Sequence, residues 1–185
     1  SEIEEYGDKF VDHEIAFDGI AVIVSEKIYE EGVKELTLDE VKQIFTGQIE
    51  NWSQVGGPDA EIFVNEREEG SGTREVFMGK IELSDTNADA AHGGNSGVRQ
   101  AVGKSENAIG YVGLGYIGGG VRAVNLNGVE PTESNVKSGD YPIYRSLHMY
   151  TWGEPSNAEK AFLDFVMSEE GQKIVANQGF IKAQD

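Results

Sequence analysis

The stretch HEIAFDGIAVIVS, residues 13–25, restricts what this chain can fold into more than any other. It is apolar and β-branched, and only Asp18-Gly19 interrupts it, so it reads as one or two buried strands. Buried strands need cover, and the sequence downstream offers it in alternation. Thr37-Leu38-Asp39-Glu40 is a capping box ahead of Val41, Ile44 and Phe45 at helical spacing, with Gly47 as the stop. EIFVN (61–65) alternates like a short strand and TREVFMGKI (73–81) reads as a helix. SGVRQAVGK (96–104) predicts a short helix with Ser96 near its N-cap. Residues 106–129 hold two strand-like runs separated by glycines, and YPIYRSLHMYTW (141–152) is a further strand. The tail predicts two helices. Ser156-Asn157-Ala158-Glu159 caps the first, with Ala161, Phe162, Phe165 and Val166 on one face. Ser168 starts the second, with Ile174 and Val175 inward and Gly179 as the stop. Strands alternating with helices define an α/β chain.

Charge narrows the partners. The 33 acidic and 15 basic residues give a formal net charge of -18. No basic face is available for nucleic acid or an anionic membrane, and general steering repels a small anion. The chain has no cysteine, which excludes disulfides and thiolate chemistry. No run approaches the ~20 apolar residues of a membrane span. The opening SEIEEYGDKF is acidic and polar, unlike a leader peptide, and reads as the middle of a longer architecture.

Against that acidic background, NEREEGSGTREVF (65–77) is a local concentration of donors. A strand, a glycine-containing turn and a helix put the backbone N–H groups of Ser71, Gly72, Thr73 and Arg74 at a helix N-terminus. There they have no intrahelical partner, and the helix dipole adds roughly half a positive charge. The hydroxyls of Ser71 and Thr73 add donors, and Gly70 and Gly72 allow close backbone approach. Arg67 can fork onto two oxygens of a tetrahedral anion. The alternative is an ordinary strand-to-helix turn with N-cap hydroxyls and solvated charges. A nucleotide P-loop is ruled out, since the turn has no Gly-Lys-Ser/Thr ending. Glu69 is a candidate to orient Arg67 or to accept a proton from the anion. Asp18, inside an apolar run, needs partners: it either caps local backbone or faces a cleft.

Other signals are weaker. GLGYIG (113–118) matches the dinucleotide pattern, yet GGVRAVNLNGV (119–129) alternates like a strand instead of opening a helix. His13, His92 and His148 lie far apart with no metal-ligand spacing, so neither metal nor cofactor is expected. Asn51-Trp52-Ser53 is a formal glycosylation sequon, and Trp52 and Trp152 read as core or rim aromatics.

IAFDGIAVIV, LTLDEVKQIFTGQIENWSQVGG, REEGSGTREVF, AIGYVGLGYI, YPIYRSLHMYT and KAFLDFVMSEEGQKIV succeed one another in an order that resembles a known family. It is the substrate-binding protein of phosphate ABC transporters, within the type II periplasmic-binding-protein superfamily. The resemblance implies two α/β lobes joined by crossing strands and closing on inorganic phosphate. Carried over, the second-lobe ligands are Arg67, Ser71, Gly72 and Thr73; Glu69, Arg74 and Asp18 stay supporting or cleft candidates from the reading of the residues alone. It divides the chain into a first crossing segment (1–23), a second lobe (24–140), and a returning strand with C-terminal helices of the first lobe (141–185). The first-lobe loops and proton-accepting carboxylate of the family fall before residue 1, so poor discrimination of phosphate from sulfate is expected. Self-association through the exposed lobe is expected too. The implied setting is extracytoplasmic, lipid-anchored in the full-length protein, with a membrane permease as partner. Two other classes stay open: an enzyme clamping a phosphate ester, for which no nucleophile or metal is evident near Arg67, and an interaction or sensory module that has kept the fold without the ligand.

Overall fold

The apolar run forms one strand, β1 (Phe10–Ser25), which Asp18-Gly19 does not break. This computed structural model describes residues 7–184, so residues 1–6 of the acidic opening and of the first crossing segment lie outside the described residues. After β1 come α1 (Glu26–Glu30), β2 (Glu35–Leu36), α2 (Leu38–Phe45), β3 (Phe63–Arg67), α3 (Gly72–Lys80), β4 (Ala90–His92) and α4 (Gly94–Lys104). They are succeeded by β5 (Ala108–Gly113), β6 (Val121–Ala123), β7 (Asn125–Leu126), α5 (Glu133–Lys137), β8 (Tyr144–Trp152), α6 (Asn157–Val166), α7 (Glu169–Asn177) and β9 (Ile181–Lys182). Two compact units divide the chain: Gly19–Tyr144 forms one, and Ser1–Asp18 with Arg145–Asp185 forms the other.

The larger unit is a mixed sheet in the order β4-β3-β5-β1-β6. β3 runs parallel to β4 and β5, while β1 is antiparallel to β5 and β6. Every residue of β5 is buried, because helices cover both faces of the sheet. On one face Val98 and Val102 of α4 pack with Ala21, Ile23, Ala108 and Val112. Gly110 makes this close: a Cβ there would stand 2.8 Å from Val98 Cγ1. Phe45 of α2, Phe77 of α3 and Tyr111 of β5 form an aromatic cluster. The rings of Phe77 and Tyr111 stack at 3.9 Å, and Phe45 meets Phe77 edge-on at 4.8 Å. Each such pair adds about 1 kcal/mol beyond area burial. Trp52 is also fully buried, its indole N–H donating to the Asn107 carbonyl.

The capping box at Thr37 forms as read, with Glu40 reaching back to the Thr37 N–H. α4 begins at Gly94 instead of near Ser96, with Gly93 as N-cap. Gly94 has φ +74°, a conformation that favours glycine, and its N–H is tied to Glu68. GLGYIG yields one 3₁₀ turn at Leu114–Tyr116 and then strand β6, so no helix opens there to carry a pyrophosphate.

In the smaller unit β1 pairs with β8 and β9. Ser156 and Ser168 cap α6 and α7 as read. Of the residues expected to face inward, Val166 and Val175 are half-buried and Ala161, Phe162, Phe165 and Ile174 are exposed, while Leu163, not singled out in the sequence, is buried. Apolar residues sit on more than one side of α6, so periodicity alone could not choose between them. Trp152 is exposed as well, with Phe10 packed edge-on against it at 5.2 Å. The buried Asp18 has a side-chain partner: Nε and Nη2 of Arg145 donate to its Oδ2 at 3.3 and 3.2 Å.

Candidate functional site

The donor-rich stretch folds as strand β3, a turn at Glu68–Ser71, and helix α3. Gly70 takes φ +80° in that turn, which a side chain would resist. β3 delivers Arg67 buried at the strand end, and Tyr111 fixes it there by accepting the Arg67 backbone N–H at 3.2 Å. Burial pushes the Tyr111 phenol up to about 12, so it stays a neutral hydrogen-bonding group.

The four backbone donors read from the sequence are not equivalent. Ser71 N–H donates to the Glu68 carbonyl at 3.3 Å, and Arg74 N–H donates to Ser71 Oγ at 3.3 Å. Among the described residues nothing accepts from Gly72 N–H or Thr73 N–H. These two remain at the N-terminus of α3, where the dipole favours an anion. Ser71 is 7 % exposed, and its capping role uses an oxygen lone pair while leaving the O–H free to donate.

Arg67 is tightly held. Its Nε and Nη2 donate to Glu68 Oε2 and Oε1 at 2.9 Å each, and its Nη1 donates to Asn95 Oδ1 at 3.0 Å. A guanidinium has five N–H donors, so two remain for a ligand. The bidentate bond holds Glu68 well below the usual carboxylate range, at about 2, and raises Arg67 further. Orientation of Arg67 therefore falls to Glu68, while Glu69 is exposed. Arg74 turns its guanidinium to Glu66, Nε to Oε2 at 3.2 Å, and Thr86 holds the same carboxylate oxygen. Asp18 belongs to the smaller unit, with Arg145.

Glu68, Asn95 and Tyr111 were not singled out in the sequence. Glu68 could have been suspected, since the residue beside an arginine at a strand end can fold back onto it. Asn95 and Tyr111 reach the site from other elements, and no local pattern marks them. Among the described residues no group of three His, Asp or Glu side chains is arranged to hold a metal ion. His92 instead pairs with Asn65, at 2.8 Å.

Comparison with known proteins identifies the family. The PBP superfamily domain matches residues 2–170. The phosphate-binding protein PstS of Bacillus subtilis is 39 % identical over 181 residues, covering 95 % of this chain and 58 % of that protein. PstS of Borreliella burgdorferi is 32 % identical over 180 residues, covering 90 % and 63 %. A protein from Clostridium perfringens, assigned as a phosphate ABC transporter substrate-binding protein and solved with phosphate bound, aligns with a TM-score of 0.78 at 39 % identity. That alignment covers 98 % of this chain and 75 % of the other. The chain belongs to the PBP superfamily and falls with the PstS proteins in it. It spans roughly three fifths of the length of the curated relatives it matches.

Proposed function

We propose that this chain carries one half of the phosphate site of a solute-binding protein serving an ABC-type phosphate uptake system. The observation that carries the reading is the set of uncommitted donors on one strand–turn–helix: two N–H groups of Arg67, the Ser71 and Thr73 hydroxyls, and the N–H groups of Gly72 and Thr73. The names of the relatives and the phosphate bound in the Clostridium perfringens structure support it. In this reading residues 24–140 form the second lobe, with 1–23 and 141–185 contributing crossing strands and C-terminal helices to the first. The exposed Phe162, Phe165 and Ile174 fit a lobe completed by sequence that the longer relatives have outside the matched region.

The mechanism is recognition without catalysis. A protein of charge -18 draws in no anion by its general field, so short-range donors must hold it. In a closed, poorly hydrated cleft such hydrogen bonds are stronger than in water. Extracytoplasmic capture and delivery to a membrane permease complete the role. Among the described residues no helix is long and apolar enough to cross a membrane.

The experiment is ³¹P NMR of inorganic phosphate with this chain. The wild type broadens the phosphate line, Arg67→Ala abolishes the broadening, and sulfate reverses it by competition. A line unchanged by the wild type, or equally broadened by Arg67→Ala, contradicts the reading.

A further inference from the structure

We infer that Asn95 is a positioning residue for the anion site, fixing from a separate element which N–H groups of Arg67 are left for the ligand. This rests on the phosphate reading above. Asn95 Oδ1 accepts from Arg67 Nη1 at 3.0 Å and from the Gly113 N–H at 3.3 Å. Both neighbours are donors, so the amide oxygen, not its nitrogen, must face them.

The second of those bonds gives the first its value. Gly113 ends β5 and lies opposite Ile20 of β1, in the buried centre of the larger unit's sheet. Glu68 grips the other edge of the guanidinium, but it is the next residue along the chain and its side chain is 44 % exposed. Glu68 is itself tied to the start of α4, its Oε2 accepting the Gly94 N–H at 3.2 Å, and not to β5. Asn95 ties the guanidinium to the sheet instead.

The residue type matters as much as the contact. A primary amide oxygen accepts from a guanidinium without bringing a formal charge. Glu68 already sets one negative charge against Arg67, and a second carboxylate there would oppose an incoming anion. Orientation and charge can therefore be separated by two substitutions. Asn95→Ala removes the acceptor, and Asn95→Asp keeps an acceptor while adding charge.

The deciding test is ¹⁵N-arginine NMR of the ligand-free chain. In the wild type the Arg67 Nη1 protons give a distinct, slowly exchanging signal. In Asn95→Ala that signal collapses into the averaged arginine envelope, and Asn95→Asp restores it. Should Asn95→Ala fail to fold, Asn95→Ser, too short to span the gap, takes its place. An Arg67 signal unchanged in Asn95→Ala, or lost equally in Asn95→Asp, overturns the inference. Phosphate binding then gives the functional readout. Asn95→Ala weakens it about tenfold, as expected for one lost hydrogen bond to a charged group. Asn95→Asp weakens it at least as much although Arg67 stays fixed, and wild-type affinity in either variant also overturns the inference. If the wild type itself binds no phosphate, the phosphate reading fails, while the arginine signals still decide whether Asn95 positions Arg67.

Discussion

Arg67 and Glu68, adjacent in sequence, meet edge to edge: Nε and Nη2 of the guanidinium donate to the two carboxylate oxygens at 2.9 Å. A strand end leading into a turn lets consecutive side chains fold onto each other in this way. The pair neutralises the cation's charge at one edge and leaves its remaining donors aimed by geometry, so in the proposed reading an anion is held through hydrogen bonds more than through net charge.

That pairing sets a pH dependence. Glu68 is held at about 2, well below the usual carboxylate value, chiefly by the Arg67 hydrogen bonds. A depressed value means stability that is present above pH ~4.5 and lost as pH falls towards 2. Because Glu68 is partly solvated, the effect is modest. Thermal melts across this window are expected to fall less steeply for Glu68→Gln than for the wild type. Parallel curves would contradict the assignment.

Arg67→Ala is expected to lower phosphate affinity at least tenfold, since hydrogen bonds to a charged group are the stronger kind. Glu69→Ala is expected to change it less than about twofold, because Glu69 is exposed and Arg67 is held by Glu68 instead. Phosphate titrations of the two variants side by side check the ranking, and equal losses would reject it.

Asp18 and Arg145 form a second, structural ion pair. Burial pushes the Asp18 carboxyl above its ordinary value, and Arg145 pulls it part of the way back. The folded state then holds the proton more readily than the unfolded chain. Raising the pH through the folded value removes stability, and lowering it adds stability. Arg145→Ala leaves a buried carboxylate uncompensated and is expected to cost about 2 kcal/mol, less than for a fully buried pair. Asp18→Asn should match or exceed wild-type stability near neutral pH, with any advantage shrinking in acid. Chemical denaturation at two pH values measures both.

Gly110→Ala tests the packing beneath the site. The added methyl would stand 2.8 Å from Val98 Cγ1, 3.0 Å from Val102 Cγ2 and 3.1 Å from the Asn65 carbonyl. Two stiff β-branched side chains and a backbone oxygen leave little room to yield. A loss of about 1–3 kcal/mol is expected, as for other overpacked cores. An unchanged denaturation midpoint would mean that α4 can retreat from β5.

What the sequence made legible was local. β1, the capped starts of α2, α6 and α7, and the strand–turn–helix carrying Arg67 and Ser71 all arise from residues close together in the chain. That Leu163 is the buried residue of α6 was not legible, because apolar side chains on several sides of the helix leave the choice to tertiary contacts. Within the site, the donors were legible but their occupancy was not. That Ser71 N–H is spent on Glu68 is set by the closure of the turn itself, and that Asn95 and Tyr111 hold Arg67 depends on β5 and α4 lying beside β3. Asp18 was marked as needing a partner, but Arg145 lies on the far side of the larger unit in sequence.

The most direct test of the central claim is a ¹⁵N NMR titration of the chain with inorganic phosphate in phosphate-free buffer. The account predicts saturable shifts centred on the backbone amides of Gly72 and Thr73 and on the Arg67 side chain, with Ser71 N–H, already bonded to Glu68, moving less. Shifts absent from those groups, or spread evenly over exposed amides, would contradict it.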